Sequence, residues 1–125
     1  MEKLPALNVF GAPIEPCSPD PLTGFFRDGC CNTCAEDTGE HTICVEMTEG
    51  LLLFSRDRGN DLLTPQLNMG FPGLLPDDRW CLCLPRWIEA WEAGITAPIN
   101  LRATHQSVLD TVPLEVLERY TIDDA

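Results

Sequence analysis

The chain has 125 residues, 44% of them hydrophobic and 22% charged, the balance of one ordinary globular domain. Eight Lys and Arg against twenty Asp and Glu leave a formal net charge of −12. The counterion-release term that drives nucleic-acid binding is therefore missing, and an anionic membrane surface repels the chain, so neither is an expected partner.

A domain of this length buries roughly 60% or more of its unfolded surface and holds a core without staples. Met1-Glu2-Lys3-Leu4-Pro5 carries no apolar run of the signal-peptide kind, and no segment reaches the ~18 apolar residues that span a bilayer, so a cytoplasmic location is expected. Seven cysteines is high for a reducing compartment and odd in number. The expectation is buried thiols, metal ligands or reactive thiols rather than a disulfide framework. Eleven prolines and nine glycines predict short elements joined by long loops.

Residues 7–10 (Leu7-Asn8-Val9-Phe10) read as a first strand, stopped by Gly11 and Pro13. From Pro16 to Thr38 the chain is irregular, and Thr23 to Cys31 carries two adjacent aromatics that pin it to the core. A long irregular stretch inside a compact domain is often functional. His41 to Met47 is the best strand, with Ile43, Val45 and Met47 on one face and Thr42, Cys44 and Glu46 on the other. Thr48 caps a helix to Arg58, with Leu51, Phe54 and Ser55 inward and Gly59 at its end.

Asn60 to Pro76 reads as a surface loop with a rigid turn at Gly70-Phe71-Pro72-Gly73-Leu74. Next comes Arg79-Trp80-Cys81-Leu82-Cys83, a strand that places Trp80 and Leu82 on one face and Arg79, Cys81 and Cys83 on the other. Pro85 suits the first turn of a following helix, where Trp87, Ile88 and Trp91 form an apolar stripe and Gly94 takes the cap. Residues 98–101 read as a further short strand, Thr104 as a cap for a helix to about Leu109, and Pro113 as the opening of a last helix. The fold class is α+β: a single domain, 1–125, with a core from about 8 to 120 and a frayed acidic tail at 121–125. A mostly antiparallel sheet of three or four strands carries about four short helices.

Asn8-Val9, Thr23 through Cys31, Gly39 through Cys44, Gly59-Asn60-Asp61-Leu62, Phe71-Pro72-Gly73-Leu74 and Trp80-Cys81-Leu82-Cys83 with Arg86-Trp87 follow one another at a recognisable spacing. In that order they resemble a bacterial family of small uncharacterised proteins, domain of unknown function 2237, over about Asn8 to Tyr120. The resemblance implies an α+β single-domain protein and brings no activity. Cys34 departs from the family pattern, which weighs against Cys31 and Cys34 as a matched metal pair.

Three functional readings follow. In the first, a pocket between the 23–31 loop, His41 and the 79–83 strand binds a small ligand or performs thiol chemistry. Its candidate nucleophiles are Cys30, Cys31 and Cys83, with His41 as base and Asp28 or Asp61 to orient it. Cys83 precedes a helix N-terminus, and Arg79 and Arg86 lie near in sequence, both of which favour a thiolate. Arg27, Asn60, Asp61, Arg79, Trp80 and Arg86 are the candidate ligand contacts. In the second reading the cysteines are small buried hydrophobes, and loop 60–76 binds a partner or a second copy of the chain. In the third, Cys30, Cys31, Cys81 and Cys83 hold a structural zinc. No cofactor other than zinc is expected.

Overall fold

The computed structural model describes residues 2–122. Two antiparallel strands, β1 (His41–Glu46) and β2 (Arg79–Cys83), form its centre. Cys44 stands opposite Cys81, Val45 opposite Trp80 and Glu46 opposite Arg79. Between His41 and Ile43 the register slips, because His41 faces Cys83 while Ile43 faces Leu82. One extra residue on β1 makes this a bulge, a device that re-aims side chains at a strand end. Glu40, just before it, has a left-handed backbone at φ 53°.

The alternation of both strands separates two apolar clusters. Ile43, Val45 and Met47 join Trp80 and Leu82 in the main core, as their spacing predicts. Helix α1 (Glu49–Asp57) adds Leu51 and Leu52 to it, and its first turn is fixed where Thr48 Oγ1 accepts from the Leu51 N–H at 3.1 Å. Helix α2 (Leu84–Glu92) adds Leu84, Trp87 and Ala90. Its Trp87 and Trp91 rings stack at 5.6 Å, and the Trp91 indole donates to the Tyr120 hydroxyl at 3.1 Å. The short α3 (Leu114–Glu118) closes the same core with Leu117. On the other face lies a smaller cluster of Cys17, Cys31, Cys44, Cys81 and Ala103.

Two expected strands do not form. Asn8 pairs with His105 through a single bridge, after which its side-chain oxygen accepts from the Phe10 and Ala12 N–H groups and turns the chain back. At 98–101 only Ile99 pairs, with Val45 on one side and Thr121 on the other, before a 3₁₀ turn at Leu101–Ala103. Pro98 lacks the N–H that a longer ladder needs. The sheet is therefore two-stranded, with three α-helices and three short 3₁₀ turns among the described residues. The fold class remains α+β.

The tail is held further than expected, since Ile122 N–H donates to the Ile99 carbonyl at 2.8 Å, and residues 123–125 lie outside the described part. The outward N–H groups of the central cysteines go to hydroxyls: Cys44 donates to Thr104 Oγ1 at 3.2 Å and Cys81 to Thr23 Oγ1 at 2.8 Å.

The largest departure from expectation is covalent. Cys17 is disulfide-bonded to Cys44, and Cys31 to Cys81. Each bridge ties the irregular first third of the chain to one strand, a segment with too little regular hydrogen bonding to hold itself. An odd count of seven hid this, because Cys30, Cys34 and Cys83 stay free.

His105, buried at 1% exposure, is a second internal tie. Its Nε2 lies 2.9 Å from the Pro5 carbonyl, which only accepts, so Nε2 carries the hydrogen and Nδ1 accepts from the Ser107 N–H at 3.1 Å. Burial lowers its pKa, only partly opposed by the Pro5 carbonyl. The folded state thus holds His105 neutral while the unfolded chain takes up a proton below the ordinary histidine value, so stability is lost as pH falls through that range. Urea midpoints should drop between about pH 7 and about pH 5 in the wild type. The His105→Gln variant should be less stable at pH 7 and lack most of that decline.

Candidate functional site

The bulged start of β1 sets His41 above a tight polar turn. Asp37, four residues earlier, is fully enclosed, and its Oδ1 meets His41 Nδ1 at 2.7 Å. The other oxygen accepts from Thr33 Oγ1 at 3.0 Å and from the His41 N–H at 2.9 Å. A carboxylate only accepts, so Nδ1 carries hydrogen toward Asp37. Nε2 makes no hydrogen bond among the described residues. Gly39 makes room for this arrangement, because a Cβ there would fall 2.8 Å from His41 Cε1 and 3.5 Å from Cys83 Sγ.

Loop 23–31 supplies the facing wall. Gly24 has φ 101°, and a Cβ on it would fall 2.3 Å from the Cys30 carbonyl oxygen, so the tight loop needs glycine. The loop forces Arg27 into a left-handed backbone at φ 52°. There its guanidinium lies 5.2 Å from the Trp80 ring centroid and donates to the Gly24 carbonyl at 2.8 Å. A non-glycine residue held in that region is strained and needs support from its surroundings. Phe71, from the 60–76 loop, packs edge-on against Trp80 at 5.4 Å.

Between these groups lies a cleft of about 230 Å³, bordered by Arg27, His41, Asp61, Met69, Phe71 and Trp80. Wider grooves exist, one of about 450 Å³ past Cys34 and Thr42. The smaller cleft gathers a cation, an imidazole and aromatic walls. It also unites the three segments singled out in the sequence: loop 23–31, His41 and strand 79–83.

Several individual expectations are corrected. Cys31 is in a disulfide and is neither a free nucleophile nor, in this state, a metal ligand. Cys30, Cys31, Cys81 and Cys83 do not form one site: the sulfurs that cluster within 4.8 Å of one another are those of Cys17, Cys31 and Cys81. That buried set has the donor chemistry to hold a metal ion, with its sulfurs now used in the two bridges. Asp28 does not orient His41. It accepts instead from Lys3 Nζ, Asn32 Nδ2 and the Cys30 N–H, all at 3.0 Å. Partial burial pushes its carboxyl up, and these bonds outweigh that and hold it below the ordinary value.

Asp61 does reach the cleft, but its Oδ1 accepts from the Leu63 and Thr64 N–H groups and is not the partner of His41. Asn60 caps the end of α1, where its N–H donates to the Ser55 carbonyl. Arg79 faces Glu46 at 3.8 Å, and Arg86 donates to the Arg58 carbonyl at 2.9 Å, so neither lines the cleft. The residue missed altogether is Asp37. Its only sequence signal is a carboxylate four positions before the histidine, in a turn marked by Gly39.

Neither the Cys30 nor the Cys83 thiol is activated. Burial pushes the Cys30 thiol up, and the Asp28 charge adds to it. Burial likewise pushes the Cys83 thiol up, against the Arg86 N–H and guanidinium at the start of α2. Asp37 and Glu40 add to the rise. The expected lowering by the helix end is present but smaller than the cost of removing the thiolate from water. Cys83 Sγ donates to the Gly39 carbonyl at 2.7 Å, a bond that only the neutral thiol makes.

The arrangement defines a small α+β protein with a half-open aromatic cleft and a carboxylate-held histidine at its side. The chain belongs to the bacterial family described as uncharacterized protein conserved in bacteria (DUF2237), whose family model matches residues 7–121. No curated protein matches it.

Alkylation of Cys83 by iodoacetamide should be slow at neutral pH and accelerate only above the ordinary thiol range. Rapid modification near pH 7, located by peptide mass, contradicts that picture.

Proposed function

We propose that the cleft binds a compact, flat, anionic small molecule and that His41 accepts a proton from it. The observation that carries this reading is the 2.7 Å contact between His41 Nδ1 and the enclosed Asp37 carboxylate, which leaves Nε2 as the acceptor toward the cleft's ligand. The Asp37 charge then stabilises the imidazolium that forms, the part a buried carboxylate plays behind any catalytic imidazole. Arg27 supplies the cation for an anionic group, with one guanidinium nitrogen engaged by protein among the described residues. Phe71, and the planar Arg27 guanidinium that lies over the buried Trp80 ring, supply the wall for a ring. At about 230 Å³ the cleft is smaller than the usual drug-sized pocket, which favours a single-ring ligand. Cys83 is in this reading a neighbour of the base, across Gly39, and not the acting nucleophile.

Benzoate and phenyl phosphate are suitable probes. Titration of either should move the His41 ring resonances and the Trp80 indole N–H saturably in NMR spectra. Arg27→Ala should weaken binding about tenfold or more, or about 1.4 kcal/mol. If neither probe shifts His41 or Trp80 at millimolar concentration, the reading is wrong.

A second reading is favoured by the 60–76 loop, whose tip leaves Leu67 80% and Met69 75% exposed. Here the tip is a contact for a second copy of the chain. Sedimentation should then show a concentration-dependent dimer that Leu67→Lys with Met69→Lys abolishes. A monomer at every concentration removes the idea.

A further inference from the structure

We infer that Cys17, Cys31, Cys44 and Cys81 form a tetrathiolate site for a zinc-class divalent ion when the two disulfides are reduced. The sulfurs of Cys17, Cys31 and Cys81 lie within 4.8 Å of one another, and Cys44 is bonded to the first of them. Tetrahedral zinc, with Zn–S near 2.3 Å, needs sulfurs about 3.8 Å apart. The bonded pairs have Cα separations of 5.8 Å and 5.3 Å, and reduction frees each side chain to rotate. Cys44, outside the 4.8 Å group, must turn toward the other three sulfurs to complete the set.

Three of the four positions are also held by backbone hydrogen bonds besides the bridges. Cys44 and Cys81 are cross-strand neighbours whose N–H groups are held by Thr104 and Thr23, and the Cys17 N–H donates to the Gly29 carbonyl at 2.7 Å. All four cysteines are at most 5% exposed. Their apolar packing neighbours are Ala103 and Ile14. Thiolates in such surroundings ionise only if a cation enters with them, and an all-sulfur set selects a soft ion over magnesium or calcium.

The chemistry balances in two stages. Each disulfide takes two electrons and two protons from a dithiol reductant, which closes into its own disulfide. Entry of the metal(II) ion then releases four thiol protons as four metal–sulfur bonds form. One cluster therefore has two closed states: two covalent staples under oxidation, and one ion bridging the same four positions under reduction. This site is separate from the His41 cleft and does not rest on it.

The test uses full-length protein carrying Cys30→Ala, Cys34→Ala and Cys83→Ala, reduced with a phosphine that is then removed without oxygen. Cobalt(II) titration should give the visible bands of a tetrahedral thiolate site, saturating at one ion per chain and lost on adding zinc. The oxidised protein should give none. Adding Cys81→Ala should abolish saturable uptake, and His41→Ala should leave it unchanged. If the triple variant does not fold, the three single variants under the same protocol answer the same question. Absence of saturable uptake at micromolar cobalt, or uptake that survives Cys81→Ala, overturns the inference.

Discussion

The pairing of β1 with β2 is the constraint on which everything else hangs. With Val45 opposite Trp80 and Ile43 opposite Leu82, one face of the ribbon becomes the floor of the main core. The same register places Cys44 opposite Cys81 on the other face. A slip of one residue would exchange the two faces, moving thiols into the apolar core and Ile and Val onto the sulfur cluster. A two-stranded ribbon is marginal by itself, so helices α1 and α2 on one side and the cross-linked first third of the chain on the other are needed to hold it. His41 stands opposite Cys83 and Trp80 opposite Val45, toward the two ends of the ribbon, and both border the cleft together with Arg27 and Phe71 from the adjoining loops.

The elements with local signals were legible. Thr48, Pro85 and Gly94 mark helix ends by their own chemistry. Leu51, Ser55 and Trp87 are buried where the spacing puts them, while Phe54, Ile88 and Trp91 are only partly buried and Leu52, Leu84 and Ala90 are enclosed instead. The alternation of both strands was equally plain. The first and fourth expected strands were not, because their fate was decided by single groups. The Asn8 side chain competes for backbone N–H groups that a ladder would use, and Pro98 has none to give.

The site was legible as a meeting of segments and not as a set of roles. The 23–31 loop, His41 and Trp80 do converge, yet the aspartate beside His41 is neither Asp28 nor Asp61. Orientation depends on a turn closed by backbone geometry at Gly39 and Glu40, which residue type alone does not announce. The cysteines were misread for a related reason. Four cysteines allow three pairings, and the choice is made by strand register and the path of an irregular loop. Spacing along the chain, such as Cys31 to Cys34 or Cys81 to Cys83, carried none of that information. Thiol activation failed on magnitude, since the pull of a helix end and a nearby arginine is smaller than the penalty of partial burial at Cys83.

The hydroxyls of Thr23 and Thr104 have a consequence for how the chain behaves in a crowded solution. A strand edge with unpaired N–H groups is a template on which another chain can add, and a ribbon of two strands has two such edges. Here the outer edge of β2 is occupied by Thr23 at Cys81, and that of β1 by Thr104 at Cys44 and by Ile99 at Val45. At these positions strand addition is opposed by side chains and a single bridge. Loops that form no strands themselves thus cover part of both edges of the small central sheet.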